Sequence, residues 1–166
     1  MKKLVFWIGG LLLVLTSLAL SACGNEKKAE AKTGPTLEKY VDDYKKSMAI
    51  TGDVEKMEDE ENSYVLTINE NVMLFIDVDD KKNVTTASLA TRSAAFGSKE
   101  LEKSQKALIH SVEPDYNEKQ IYATMDELKV SDQLKDVAEF KSLDDVKLSY
   151  VSSIDKDTAY LKAEYK

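Results

Sequence analysis

The stretch Ser63-Tyr64-Val65-Leu66-Thr67-Ile68-Asn69-Glu70-Asn71-Val72-Met73-Leu74-Phe75-Ile76-Asp77-Val78 decides the fold class, because here the apolar pattern shifts from a helical period to a strand period. Tyr64, Leu66 and Ile68 alternate with Val65 and Thr67. Asn69-Glu70-Asn71 then supplies a turn, and a nearly continuous apolar run follows it. Two strands of this kind around a short polar turn predict an antiparallel hairpin. The second strand carries Val72, Leu74, Ile76 and Val78 on one face and Met73 and Phe75 on the other, which places it near the middle of a sheet. Asp53 to Glu58 and Val84 to Thr91 have weaker strand patterns on either side.

Helical spacing brackets this region. Before it, residues 37 to 49 set Leu37, Tyr40, Val41, Tyr44 and Met48 three and four apart, with Thr36 placed as an N-cap and Gly52 just past the end. Such a stripe faces a core. After it, Ser98 to Val112 repeats the spacing through Leu101, Leu108, Ile109 and Val112, and Pro114 breaks the chain. Asn117 to Val130 opens on Asn117-Glu118-Lys119-Gln120, close to a capping box, and marks one face with Ile121, Met125 and Leu128. Val137 to Phe140 fits neither period cleanly. Val146 to Ile154 and Ala159 to Tyr165 alternate again around Asp155-Lys156-Asp157, a second hairpin. The expected fold is α+β: an antiparallel sheet of about five to six strands packed by about three helices, in the order α, three or four β, α, α, β, β. The pattern leaves open whether the last hairpin joins the first sheet.

The N-terminus carries a different signal. Lys2 and Lys3 precede the mostly apolar Leu4 to Leu20, and the segment closes on Leu20-Ser21-Ala22-Cys23, with Cys23 the single cysteine of the chain. A basic start, an apolar centre and a small-residue end are the parts of a signal peptide. This arrangement resembles the lipobox of bacterial lipoprotein signal peptides. That resemblance implies diacylglycerol on the Cys23 sulfur, removal of residues 1–22, and attachment to the extracytoplasmic face of a cell membrane through two acyl chains. The competing reading is an uncleaved anchor, but the stretch is short against the roughly 20 apolar residues that span a bilayer and has no basic flank at its far end. Lysine greatly outnumbers arginine, of which Arg92 is the only one, a bias that favours a Gram-positive outer leaflet over a Gram-negative envelope.

Removing residues 1–22 leaves 21 basic and 30 acidic side chains. The lysines are interleaved with acids, so the basic stripe that neutralises phosphates is missing and nucleic acid is not an expected partner. Residues 23–36 are small and charged and read as a lipidated tether, with a coil reach of about 20 Å. Residues 37–166 are long enough for one domain with its own core. With Cys23 acylated no thiol is left for disulfides, zinc or nucleophilic catalysis.

Searching for chemistry gives little. His110 is the only histidine and sits late in its helix, where a positive end suits the helix dipole better than it suits a general base without a partner. No nucleophile elbow, phosphate loop or zinc-binding helix is present. Asp77, Asp79 and Asn83 offer oxygen ligands for a cation, but the run lacks the glycine and distal glutamate of a calcium loop, so a solvated turn is the expected role. Glu58 to Glu61 is likewise a solubilising turn. Tyr116, Tyr122 and Tyr160 are the candidate binding residues, since tyrosine supplies contact area and a hydroxyl together. No cofactor is expected. The function expected from these observations is a membrane-anchored, non-catalytic module that binds an envelope protein or peptide. The alternatives are an exclusion or immunity lipoprotein of a phage or plasmid, a small-molecule or cation receptor, and a small carboxylate-dependent hydrolase.

Overall fold

The computed structural model describes residues 34–166. Cys23, the leader and most of the tether lie outside the described residues. Helix α1, Leu37–Met48, buries Tyr40, Val41, Tyr44 and Met48, the stripe its spacing predicts. Thr36 has extended N-cap geometry but makes no side-chain cap; it bridges to Asn83 instead. The helix stops at Ala49, which adopts the left-handed conformation while Ile50 N–H donates to Lys45 O at 3.2 Å. Gly52 is therefore not the terminator.

Strands β1 (Val54–Lys56), β2 (Ser63–Asn69), β3 (Val72–Val78) and β4 (Val84–Arg92) follow as an antiparallel meander. A 3₁₀ turn at Ser93–Ala95 leads to α2 (Lys99–Val112), whose N-cap Ser98 accepts from Leu101 N–H at 3.1 Å. Helix α3 (Glu118–Glu127) begins with a complete capping box between Asn117 and Gln120. It is shorter than its apolar spacing suggests, because Lys129 turns the chain at φ 54° so that Leu128 and Val130 both reach the core.

Strands β5 (Val137–Ser142), β6 (Val146–Ser153) and β7 (Thr158–Tyr165) complete one sheet of order β1-β2-β3-β4-β7-β6-β5. Among the described residues the sheet has seven strands, against the five to six expected. The extra one is β5, whose pattern is hard to read because Glu139 and Lys141 sit on the helix side, where they pair with α3 and the turn that follows it. Lys129 pairs with Glu139, and Lys141 Nζ lies 2.7 Å from Glu127. Pairing of β7 with β4 shows that the C-terminal hairpin does join the first sheet.

The core lies between one face of this sheet and the helices. Leu66, Leu74, Leu89, Leu161 and Tyr150 stand opposite one another on successive strands and are almost fully buried. Each such side chain contributes about 1.5–3 kcal/mol on leaving water. Strand β3 is buried along both faces, as its uninterrupted apolar run predicts. Helix α2 bridges the layers, touching α1, α3, β4 and β7. Phe140, Ser149, Lys162, Ser88, Phe75 and Val65 form a row on the opposite face, where no helix among the described residues packs.

Candidate functional site

Asp77 and Asp79 are placed two residues apart, yet the fold gives them separate tasks. Asp79 closes the β3–β4 turn from within: its carboxylate accepts from Lys81 N–H at 2.9 Å, from Asn83 N–H at 2.8 Å and from Asn83 Nδ2 at 3.0 Å. The Asn83 bonds lead in holding that carboxyl below its usual range. Asp77 is half-buried on the open sheet face and accepts from Ser63 Oγ at 2.7 Å. Burial pushes its carboxyl up, and the Ser63 bond offsets only part of the shift. The three candidate cation ligands therefore serve turn and sheet, and no acidic or imidazole cluster suited to a metal occurs among the described residues.

The three candidate tyrosines do not form one surface. Tyr160 lies on the open sheet face, in the row Met73, Ala90, Tyr160, Val151, Ala138. Tyr116 and Tyr122 lie with the helices, on either side of Lys106. Tyr122 donates to Glu102 at 2.7 Å and accepts from Lys106 Nζ at 3.0 Å; Lys106 also approaches Glu102 and Glu118 at 3.5 Å. The Tyr122 bond, ahead of Lys106, holds the Glu102 carboxyl below its usual range. Tyr116 shares a shallow hollow of about 410 Å³ with Lys103, Lys106 and His110. Its cations are already committed, because Lys103 Nζ donates to Met48 O at the end of α1 and Lys106 is held by its acids. His110 Nδ1 is buried there without a hydrogen-bond partner.

A second hollow, about 340 Å³, opens between α2, α3 and the segment after α3. Glu102, Gln105, Tyr122, Met125, Asp126 and Val130 contribute to its wall. Helical spacing identified Met125 as core-facing, but Gln105 carried no signal in the sequence. Its side chain is turned inward beside Ser104, which is completely buried.

The most unusual surface is the β5 end of the sheet. Among the described residues, no strand pairs with the outer side of β5, which runs six residues without proline or bulge. The other edge, β1, has three residues and leads into the acidic turn at Glu58 to Glu61. The two charges on β5 that could guard its edge are engaged elsewhere, Lys141 by Glu127 on α3 and Glu139 by Lys129 just after it. Phe140 projects from the opposite face at 73% exposure, with Lys147 Nζ 5.5 Å from its ring centre. Leu134 precedes β5 and Ile154 follows β6; Ile154 N–H donates to Asp136 at 3.0 Å, which brings the two segments together. Of the four large apolar side chains exposed among the described residues, these are three, and Tyr122 is the fourth. Folded domains ordinarily protect a regular edge strand, and large exposed apolar groups seldom cluster beside one, so this edge, unpaired among the described residues, departs from the usual arrangement. None of Leu134, Phe140 and Ile154 was singled out by periodicity, since isolated apolar residues in irregular patterns carry no positional signal.

No helix among the described residues is long and apolar enough to cross a membrane. Comparison of the chain with family models, with curated proteins and with solved structures found no match.

Proposed function

We propose that the protein is a lipoprotein held on the extracytoplasmic face of the cell membrane through Cys23, and that it acts by binding an extended segment of another envelope protein along β5. The observation that carries this reading is the β5 edge, unpaired among the described residues, with Phe140 beside it. An extended segment added to a sheet edge gains main-chain hydrogen bonds, while pockets and exposed side chains beside the edge select its sequence. Six residues of strand offer about 20 Å of edge, enough for a partner segment of similar length. Val151 and Tyr160 continue the apolar surface inward from Ala138 on the same face as Phe140, so an arriving side chain meets a partly apolar floor.

Anchoring supports the same reading by holding the domain close to its partners. A second binding event between tethered molecules proceeds at a raised effective concentration, which permits a modest intrinsic affinity. No catalytic step is proposed, and the carboxylates whose partners are described above serve structural bonds.

The test is made in cells with the full-length, anchored protein. Phe140→Glu should reduce crosslinked recovery of the partner about tenfold or more, the loss typical of an anchor side chain, without lowering the melting temperature. Unchanged recovery would remove β5 from the account. Cys23→Ser should abolish acyl labelling, and persistence of the label would remove the lipid anchor.

A further inference from the structure

The geometry points to the hollow between α2 and α3 as a binding site for a small organic cation, an ammonium or guanidinium compound with a short apolar body. Its distinguishing residue is Gln105. This side chain is 3% exposed, belongs to the wall of the hollow, and makes no amide hydrogen bond among the described residues. A buried amide has two donors and an acceptor to satisfy, and native interiors seldom leave all of them idle. Its neighbour Ser104, equally buried, shows the usual arrangement: Ser104 Oγ donates to Glu100 O at 2.8 Å. Among the described residues the fully buried polar atoms without a partner belong to Tyr40, His110, Tyr150 and Thr158 and not to Gln105, so its amide keeps some accessible surface, and the hollow is the space that side chain lines.

The rest of the wall states the chemistry. Asp126 brings an exposed carboxylate that no described side chain engages, whereas the Glu102 carboxylate is already paired with Lys106 Nζ at 3.5 Å behind the wall. Glu102 is fixed in direction by Tyr122 at 2.7 Å. Met125 and Val130 are buried and give an apolar floor. The Asp126 carboxylate at one side, an amide acceptor at depth and an apolar floor suit a donor-bearing cation better than an anion. At about 340 Å³ the space lies at the small end of ligand pockets, which limits the guest to on the order of a dozen non-hydrogen atoms. Nothing in this site depends on the β5 edge, so the two readings stand or fall separately.

Agmatine is the probe, with glucose as a neutral compound of similar size. The full-length protein in detergent micelles, labelled at its methionine methyl groups, reports on the hollow through Met125. Agmatine up to about 10 mM, a range that detects weak ligands, should shift the Met125 methyl saturably and leave those of Met48, Met57 and Met73 in place. Gln105→Leu should weaken that response about tenfold while the melting temperature stays level, because leucine keeps a side chain of similar bulk in this largely buried position. Asp126→Asn, an exposed change that spares the core, should weaken it similarly and decides the matter if Gln105→Leu does not fold. No Met125 shift with agmatine, an equal shift with glucose, or undiminished affinity in the folded variants would overturn the assignment.

Discussion

Leu89 on β4 stands directly opposite Leu161 on β7, and this contact joins the N-terminal meander to the C-terminal hairpin. Both are about 1% exposed, and α2 covers the two strands that carry them. The sheet is thus one continuous layer rather than two separate ones, and its two halves should unfold together. Leu161→Ala should destabilise the whole domain by about 3 kcal/mol, since a leucine deleted from such a site loses its transfer energy and leaves a cavity. Urea unfolding followed by circular dichroism should still show one transition, moved to lower denaturant. Two separated transitions would mean that the halves fold independently.

Two tyrosines on one helical face have opposite roles. Tyr44 donates its hydroxyl to Ser104 O at 3.3 Å and ties α1 to α2, whereas the Tyr40 hydroxyl is buried without a partner. The neighbouring Ser111 hydroxyl is donated to Leu108 O at 2.7 Å. Burial raises the ionisation of both phenols far above the usual value, so both are neutral. Tyr44→Phe should cost about 1 kcal/mol, while Tyr40→Phe should be neutral or stabilising. Equal losses in thermal or chemical unfolding would contradict this difference.

Asp77 makes stability depend on pH in the direction opposite to a salt-bridged acid. Burial raises its carboxyl in the folded state, with Glu60 adding to the shift and Ser63 and Lys162 opposing it. The folded protein therefore binds that proton more tightly than the unfolded chain. The contribution is fully present below the unfolded carboxylate value and is lost as pH rises through the folded one. Asp77→Asn keeps an acceptor for Ser63, so it should flatten this slope and raise the melting temperature at neutral pH. Identical pH slopes for variant and parent would show that Asp77 is not the source.

The strands and helices with regular apolar spacing were legible in the sequence, including the central position of β3 and the caps at Ser98 and Asn117. Where side chains answer to distant partners, the pattern failed. Glu139 and Lys141 face α3, which disguised β5 as irregular chain. Gly34, Pro35 and Thr36 read as the end of a tether, but Val84 N–H donates to Pro35 O at 2.9 Å and Leu37 N–H to Lys82 O at 2.9 Å. A Cβ on Gly34 would be driven into the Val84 carbonyl oxygen and to 2.9 Å from the Tyr165 ring, a close approach that composition does not reveal. The candidate site was less legible than the fold. An unprotected edge exists only once the neighbours of β5 are known, and Gln105 differs from any surface glutamine only through its burial.

Site-specific photocrosslinking from position 140 in intact cells tests the central claim most directly, with the same probe at Glu38 on the exposed side of α1 as the comparison. The account predicts one dominant protein adduct from position 140, absent from position 38 and reduced when Cys23→Ser removes the anchor. Adducts to lipid alone, or equal adducts from both positions, would contradict binding along β5.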